Sequence, residues 1–479
     1  MTNAILFLPE TVTLLTALAV FLCIIFKASV PGTARVALGG SALILGACLY
    51  TIGESGEPFF PGIYRVDFFS QLLKTVFAVG LLLVLVLGHS PPTLRRDARR
   101  EFPLFLLIST AGMMLLVSAT ELLTLYLALE LSAFPVYALV ALNREKRSGS
   151  ESAVKYMLQG MVASAATLYG MSFLFGMTGT TYLAELAAAV PEVAGQPLFW
   201  VGLLLTLAGF LFKIALFPFH FWAPDTYQAS AHPVVTFIAT ASKVAAIGVL
   251  ARIVATFAMG EESIGTEGMQ VLIVCFSVAA MTLGNLAALV QKDVKRLLGY
   301  SAVAHAGYLA VGLQAFSDLG LTSVLFYTIG YFAMTYLCFL VVCEVGRDRD
   351  SVPVEAMAGL WHRSPFLALC LLIGILGLTG LPPTVGFIGK WFLFSAALEG
   401  GQFLLVLIAA LNSAIAIYYY LRVLRAAYML EATDETRLSP APLAAAGAVL
   451  SCVVVLWMGS VPNFFWEIAR GAASAVTMQ

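Results

Sequence analysis

The chain has 479 residues, of which 60% are hydrophobic and 11% charged, with a net charge of −1 and a mean hydropathy of +0.93. A soluble globular chain carries about 25% charged residues, so this composition is that of an all-α polytopic membrane protein. The near-zero charge gives no reason to expect a nucleic-acid partner, and seven scattered cysteines without a CxxC, no P-loop and no GxGxxG argue against a metal, cluster or nucleotide on this chain.

About 20 apolar residues are needed to span a bilayer as a helix. On that measure the chain reads as roughly fourteen spans, at 6–26, 36–52, 69–88, 103–119, 122–142, 154–177, 198–219, 233–256, 270–290, 299–315, 321–343, 364–398, 403–424 and 441–459. The first lacks the basic n-region of a cleaved signal peptide and is expected to be a retained helix. No loop is long enough for an extramembrane domain, so residues 1–479 are expected to form a single transmembrane domain.

The loops alternate in charge. Those after the first, third, fifth, ninth, eleventh and thirteenth spans hold Lys27 and Arg35; Arg95, Arg96, Arg99 and Arg100; Arg144, Lys146 and Arg147; Lys292, Lys295 and Arg296; Arg347 and Arg349; and Arg425 and Arg437. The intervening loops are neutral or acidic, as at Glu185, Glu192, Glu261, Glu262 and Glu267. The positive-inside rule then places both termini on the periplasmic side of a bacterial inner (cytoplasmic) membrane.

Within the spans, ionisable residues recur where hydrocarbon should exclude them. Glu130 lies mid-span in the fifth, Lys213 in the seventh within FLFKIALFPFHFW, Lys243 in the eighth, and Lys390 in the twelfth after a stretch without formal charge from Ser364 to Gly389. Four such groups cost on the order of 10 kcal/mol together even on a lenient insertion scale. Structural ion pairing is the ordinary explanation, but one acid cannot neutralise three amines. All three deep cations are lysine in a chain with 17 arginines and 9 lysines. A buried lysine can give up its proton and an arginine cannot, so the set reads as a proton relay. His305 and His220 are weaker members, each as readily a core histidine. Lys74 and Lys155, nearer span ends, are expected to snorkel. Arg252 and Glu344 are expected at the interface, and Tyr418, Tyr419 and Tyr420 in packing.

Two spans carry breakers. The seventh runs into Pro218, Pro224 and Pro233, and the twelfth contains GLTGLPPTVGFIGKW. Proline removes a backbone donor, and irregular backbone at membrane depth survives only inside protein or beside water. Ordinary kinks would account for one such segment. Two, each near a lysine, point to inverted five-helix repeats, approximately 103–256 and 270–424, with the site near mid-membrane.

Four stretches carry a family resemblance: LALELSAFPVYALVAL at 127–142, FKIALFPFHFWAPDTYQASAHPVVTFIATASKVAA at 212–246, LLGYSAVAHAGYLAVGL at 297–313, and AGLWHRSPFLALCLLIGILGLTGLPPTVGFIGKWFLFSAALEGG at 358–401. With them the chain resembles the antiporter-like subunits of respiratory complex I, the NADH-quinone oxidoreductase, and among these the subunit N branch. The resemblance implies relay residues at Glu130, Lys213, Lys243 and Lys390, with His305 and Lys155 as further members. Relatives of the subunit M kind carry a glutamate where Lys390 stands. Relatives of the subunit L kind continue into a long lateral helix, whereas this chain ends shortly after Val461. The motif AHP at 231–233 departs from a proline-rich APTP and is expected to alter a loop only. The implied function is proton translocation without redox chemistry on this chain; quinone, flavin and iron–sulfur clusters are expected on partner subunits. Neighbouring antiporter-like and small membrane-arm subunits are the implied partners, together with the lipid bilayer and protons. A direct Glu130–Lys213 pair is the expected switch. A multi-subunit cation/proton antiporter shares nearly all these motifs and stands as the alternative. A solitary secondary transporter is a more distant one.

Overall fold

A computed structural model describes residues 2–477 apart from 58–60, 89–97, 143–146, 259–265, 348, 350 and 433–435. Arg95, Arg96, Arg144, Lys146, Glu261 and Glu262 lie outside the described residues, as do the side chains of Arg147 and Glu267. Helices stand at every expected span, because in lipid a helix satisfies its own backbone. We label them α1 (Leu8–Ile25), α2 (Val30–Tyr50), α3 (Phe68–Leu87), α4 (Ala98–Ser118), α5 (Leu122–Ala141), α6 (Arg147–Thr178), α7 (Pro197–Ile214) and α8 (His232–Phe257). The remainder are α9 (Thr266–Leu289), α10 (Val294–Leu313), α11 (Asp318–Val345), α12 (Pro365–Thr379), α13 (Val385–Glu399), α14 (Phe403–Met429), α15 (Pro442–Ser460) and α16 (Asn463–Thr477). Among the described residues, twelve helices are long and apolar enough to cross a membrane by themselves. Beyond these, α10 is 20 residues long, and α12 with α13 fills the expected twelfth span as two pieces.

Burial sorts the bundle into a shaft and a rim. The most apolar windows of α8 and α11 are 100% and 94% buried, whereas those of α1, α2, α9 and α14 are 33% buried. A helix apolar on every side, as α11 is, belongs inside other helices. Lys213, Lys243 and Lys390 sit on or against this shaft.

The breakers act where the sequence puts them. α7 ends at Ile214, earlier than the expected 219, because Ala215 turns left-handed at φ 58° and a cis Phe217–Pro218 bond follows. α12 ends at Gly380, with φ 86°, before a cis Pro382–Pro383 bond, and α13 starts at Val385. α8 is irregular too: a π-helical turn at Ile238–Ser242 immediately precedes Lys243. Such π-bulges often mark functional sites.

The α12–α13 junction is tight. A Cβ on Gly386 would overlap the Gly377 carbonyl oxygen, a backbone atom that cannot swing away. Gly386→Ala is therefore expected to destabilise the chain by about 1–3 kcal/mol, the usual range for overpacking. A lowered melting temperature of the purified assembly would show it.

Three expectations about charged residues are overturned. Lys74 does not snorkel: it is fully buried, 2.8 Å from Glu10 and 3.1 Å from the Tyr64 hydroxyl, which itself donates to Glu10 at 2.6 Å. Arg252 is not interfacial: it is fully buried and grips both Asp67 oxygens at 3.0 and 2.9 Å, with its Nε donating to Val117 O. In each case a helix distant in sequence supplies the counter-charge, so the amine or guanidinium need not reach water. Glu344 sits near the end of α11, 3.3 Å from Arg347. Lys295, expected in a loop, is buried and donates to Ser230 O.

Candidate functional site

Lys213 occupies the last turn of α7, just before the break. A helix C-terminus carries partial negative charge and unsatisfied carbonyls, a favourable place for an amine. The break itself is closed by Trp222, whose indole donates to Phe212 O at 2.8 Å. The buried Lys213 amine donates to the Ser132 hydroxyl of α5, and the Ser164 hydroxyl of α6 donates to Glu130. Glu130 and Lys213 face one cavity of about 20 Å³, flanked by Tyr137, Tyr156 and Ser164. That space holds about one water. The expected direct pair is not present: among the described residues no ion pair within 4.0 Å joins Glu130 to Lys213, and each side chain is held by its own serine instead.

Lys243 points from the π-turn of α8 toward α10. Its amine donates to Ala302 O and lies over the Tyr331 ring, 5.5 Å from the centroid. One turn further along α10 stands His305, buried, with Nδ1 2.7 Å from the Tyr327 hydroxyl and Nε2 3.2 Å from the Tyr420 hydroxyl. Another turn brings Tyr308, whose ring lies beneath Lys390 at 4.5 Å. Ala302, His305 and Tyr308 are spaced three apart and share one helix face. That face bridges the two lysines. Lys390 reaches back across the break to the freed end of α12, donating to Thr379 O at 3.0 Å and Leu378 O at 3.4 Å. Lys213, Lys243 and Lys390 thus each lie beside an irregular turn and donate to backbone carbonyls or a hydroxyl, and an aromatic face covers Lys243 and Lys390.

A second polar chain leaves this region toward α14. Tyr420 also meets the Ser301 hydroxyl, Tyr419 donates to Asn285 Oδ1 at 3.0 Å, and Asn285 donates to Tyr308 and to Asn412, each at 3.3 Å. The tyrosine triplet, expected in packing, divides: Tyr418 is exposed, while Tyr419 and Tyr420 are buried and hydrogen-bonded to Asn285, Ser301 and His305. The missed signal was a phenol at helical spacing beside apolar residues, a pattern that packing tyrosines share.

The other sequence candidates lie apart. Lys155 is exposed on α6, 2.8 Å from Glu151 and 3.8 Å from Asp225, which also meets Arg296 at 2.5 Å. This charged cluster is at the basic end of the bundle. His220 is buried between Phe217 and Phe221 in the segment after α7, and no hydrogen bond among the described residues links it to the lysines. His232, the departure at 231–233, opens α8 and donates to Gly346 O and Arg349 O at 2.9 and 2.8 Å, tying α8 to the end of α11. The departure therefore falls on a buried helix start and not on a loop. Among the described residues no group of His, Cys, Asp and Glu is placed to hold a metal.

Comparison with known proteins agrees along the whole chain. The family described as "NADH:quinone oxidoreductase/Mrp antiporter, TM" matches residues 119–416, which include Glu130, Lys155, Lys213, His220, Lys243, His305 and Lys390. A protein of Syntrophobacter fumaroxidans named NADH-quinone oxidoreductase subunit N 2 is 45% identical over 99% of this chain and 100% of its own length. A chain of respiratory complex I from Thermus thermophilus is 35% identical, with a TM-score of 0.83 over 96% of this chain and 99% of that one. A chain of the Mrp complex from Dietzia is 21% identical with a TM-score of 0.86 over 98% of both, a likeness of fold alone. Shaft, broken helices and buried lysines therefore stand in a known setting: the chain belongs to the NADH:quinone oxidoreductase/Mrp antiporter transmembrane family, and within it to the subunit N relatives of NADH-quinone oxidoreductase.

Proposed function

We propose that this chain is the proton-translocating subunit N of a complex I-type NADH-quinone oxidoreductase in a bacterial cytoplasmic membrane. In this reading it carries no redox group, and quinone, flavin and iron–sulfur clusters belong to partner subunits. The observation that carries the proposal is the row Lys213, Lys243, Lys390: three buried amines, none within 4.0 Å of a carboxylate among the described residues, with His305 between the last two. Charges kept in a membrane interior at such cost mark ion paths. Lys155 and His220 lie off this row, and we assign them to proton entry from the basic end. Fourteen crossings with both termini periplasmic, and the repeats 103–256 and 270–424 each holding one broken helix, complete the proposed architecture.

The switch is the Glu130–Lys213 cavity. With serines holding the two groups apart, the pair is open. Rotation of the Ser132 and Ser164 hydroxyls lets carboxylate and amine meet, which at about 4 Å and an effective dielectric near 20 gains about 4 kcal/mol. A closed pair retains a proton on Lys213, and reopening sends it toward Lys243 and Lys390. Moving one charge against 100 mV requires about 2.3 kcal/mol, so a switch of this size is of the right order. Such a local change in charge contact biases a two-state element in the way other ligand switches do.

The test is isolation through a tag on this chain. Partner chains bearing flavin and iron–sulfur clusters should co-purify, and vesicles containing the assembly should take up protons while reducing quinone. Lys243→Ala should leave assembly intact and lower the protons moved per electron. Recovery of small antiporter chains without redox subunits, with sodium–proton exchange in vesicles, would favour the cation/proton antiporter reading instead.

A further inference from the structure

At the basic end of α14 two adjoining cavities share Arg422 and Arg425 but differ in character. One, of about 630 Å³, is walled by Leu372, Tyr418, Leu421, Tyr428 and Met429. The other, of about 340 Å³, adds Lys292 and Glu355 to the two arginines. From Tyr418 to Met429 the apolar cavity follows the helix for about 16 Å. Tyr418, Leu421 and Met429 are themselves exposed on the rim of the bundle. Trp361 stacks on Tyr428 at 5.5 Å, the aromatic pairing expected where hydrocarbon meets headgroups. Arg422 is held in place by donating to Leu289 O at 3.0 Å and to Gln291 O, yet its buried Nε–H has no acceptor among the described residues.

We propose that these joined cavities bind one anionic phospholipid, its phosphate among Arg422, Arg425 and Lys292 and one acyl chain along the Tyr418–Met429 strip. The chemistry selects this occupant. Three cations against one carboxylate favour a net negative headgroup, and basic pockets between membrane helices take such lipids. A zwitterionic lipid brings its own ammonium against the same three cations. Free phosphate would satisfy the arginines and leave the apolar strip uncovered. Arg422, already fixed by two carbonyls, supplies an oriented donor, and exposed Arg425 supplies charge.

The experiment uses the assembled complex in nanodiscs doped with photoreactive phosphatidylglycerol or photoreactive phosphatidylcholine, followed by peptide mapping of the adducts. Adducts of phosphatidylglycerol should concentrate on peptides containing Leu372 and Leu421–Met429. They should fall about fivefold in Arg425→Gln and about thirtyfold in the Arg422→Gln/Arg425→Gln double variant. Because Arg422 also braces the end of α9, the exposed Arg425→Gln is the variant that keeps the test valid if the double variant does not assemble. Loss of labelling with excess inorganic phosphate would assign the arginines to a free anion and overturn the lipid. Equal labelling by both lipids, or labelling indifferent to Arg425→Gln, would mean ordinary bilayer contact. Cross-linking of the strip to a neighbouring subunit in place of lipid would likewise overturn the proposal.

Discussion

Lys213→Ala and Glu130→Ala should each cut proton translocation by the assembled complex about tenfold or more, since every 1.4 kcal/mol of lost driving force is a factor of ten. Assembly should survive. Glu130 is half-buried and opens on a cavity with room for about one water, so it is not stranded when its partner goes. Ser132, which accepts from Lys213, loses one hydrogen bond and keeps the one it donates to Leu129 O. The readout is the ratio of protons taken up to quinone reduced, in vesicles whose subunit content has been checked. Ser132→Ala should have a smaller effect, because it removes the clasp that holds the pair open but leaves both charges. Full pumping in a well-assembled Lys213→Ala complex would remove the switch from the mechanism.

Arg252→Leu should behave in the opposite way, unfolding or failing to assemble while saying nothing about pumping. Asp67 is 4% exposed, so with Arg252 gone its charge stays buried and unpaired. Breaking a buried ion pair from one side costs about 3–5 kcal/mol, a large share of a whole domain's stability. The loss also frees Val117 O and the contact of the guanidinium with the Phe69 ring, so α8 is released from α3 and α4 together. Adding Asp67→Asn should recover part of the loss, because the charge disappears while the amide can still cap Ser70 N at the start of α3. Melting of the purified chain in detergent, wild type against single and double variants, gives the coupling directly. Unchanged melting of Arg252→Leu would show that the pair contributes nothing.

The contrast between these variants shows where sequence reasoning stopped. Lys213, Lys243 and Lys390 were legible because each stands in a long uncharged run, and a charge in hydrocarbon is conspicuous without any knowledge of its surroundings. The breaks after Ile214 and Thr379 were legible for a similar reason: proline and glycine act on the backbone where they stand. Lys74 and Arg252 were equally buried but were misread, because their positions near span ends allowed an escape to water that packing does not permit. Their partners, Glu10 and Asp67, are 64 and 185 residues away. Tyr420 was misread for the same cause, its contact with His305 lying 115 residues off.

By itself, then, the sequence determined the membrane class, the approximate spans, the broken helices and the identity of the deep amines, all of which follow from desolvation and backbone geometry acting within a few residues. The tertiary structure alone decided which buried charges are neutralised and which are left to a hydroxyl and carbonyls. It held Glu130 and Lys213 apart on separate serines, and it laid Ala302, His305 and Tyr308 as a bridge from Lys243 to Lys390. Partner choice depends on which helix faces meet, and in a bundle whose helices are apolar on nearly every side that is set by close packing between distant segments, not by local pattern.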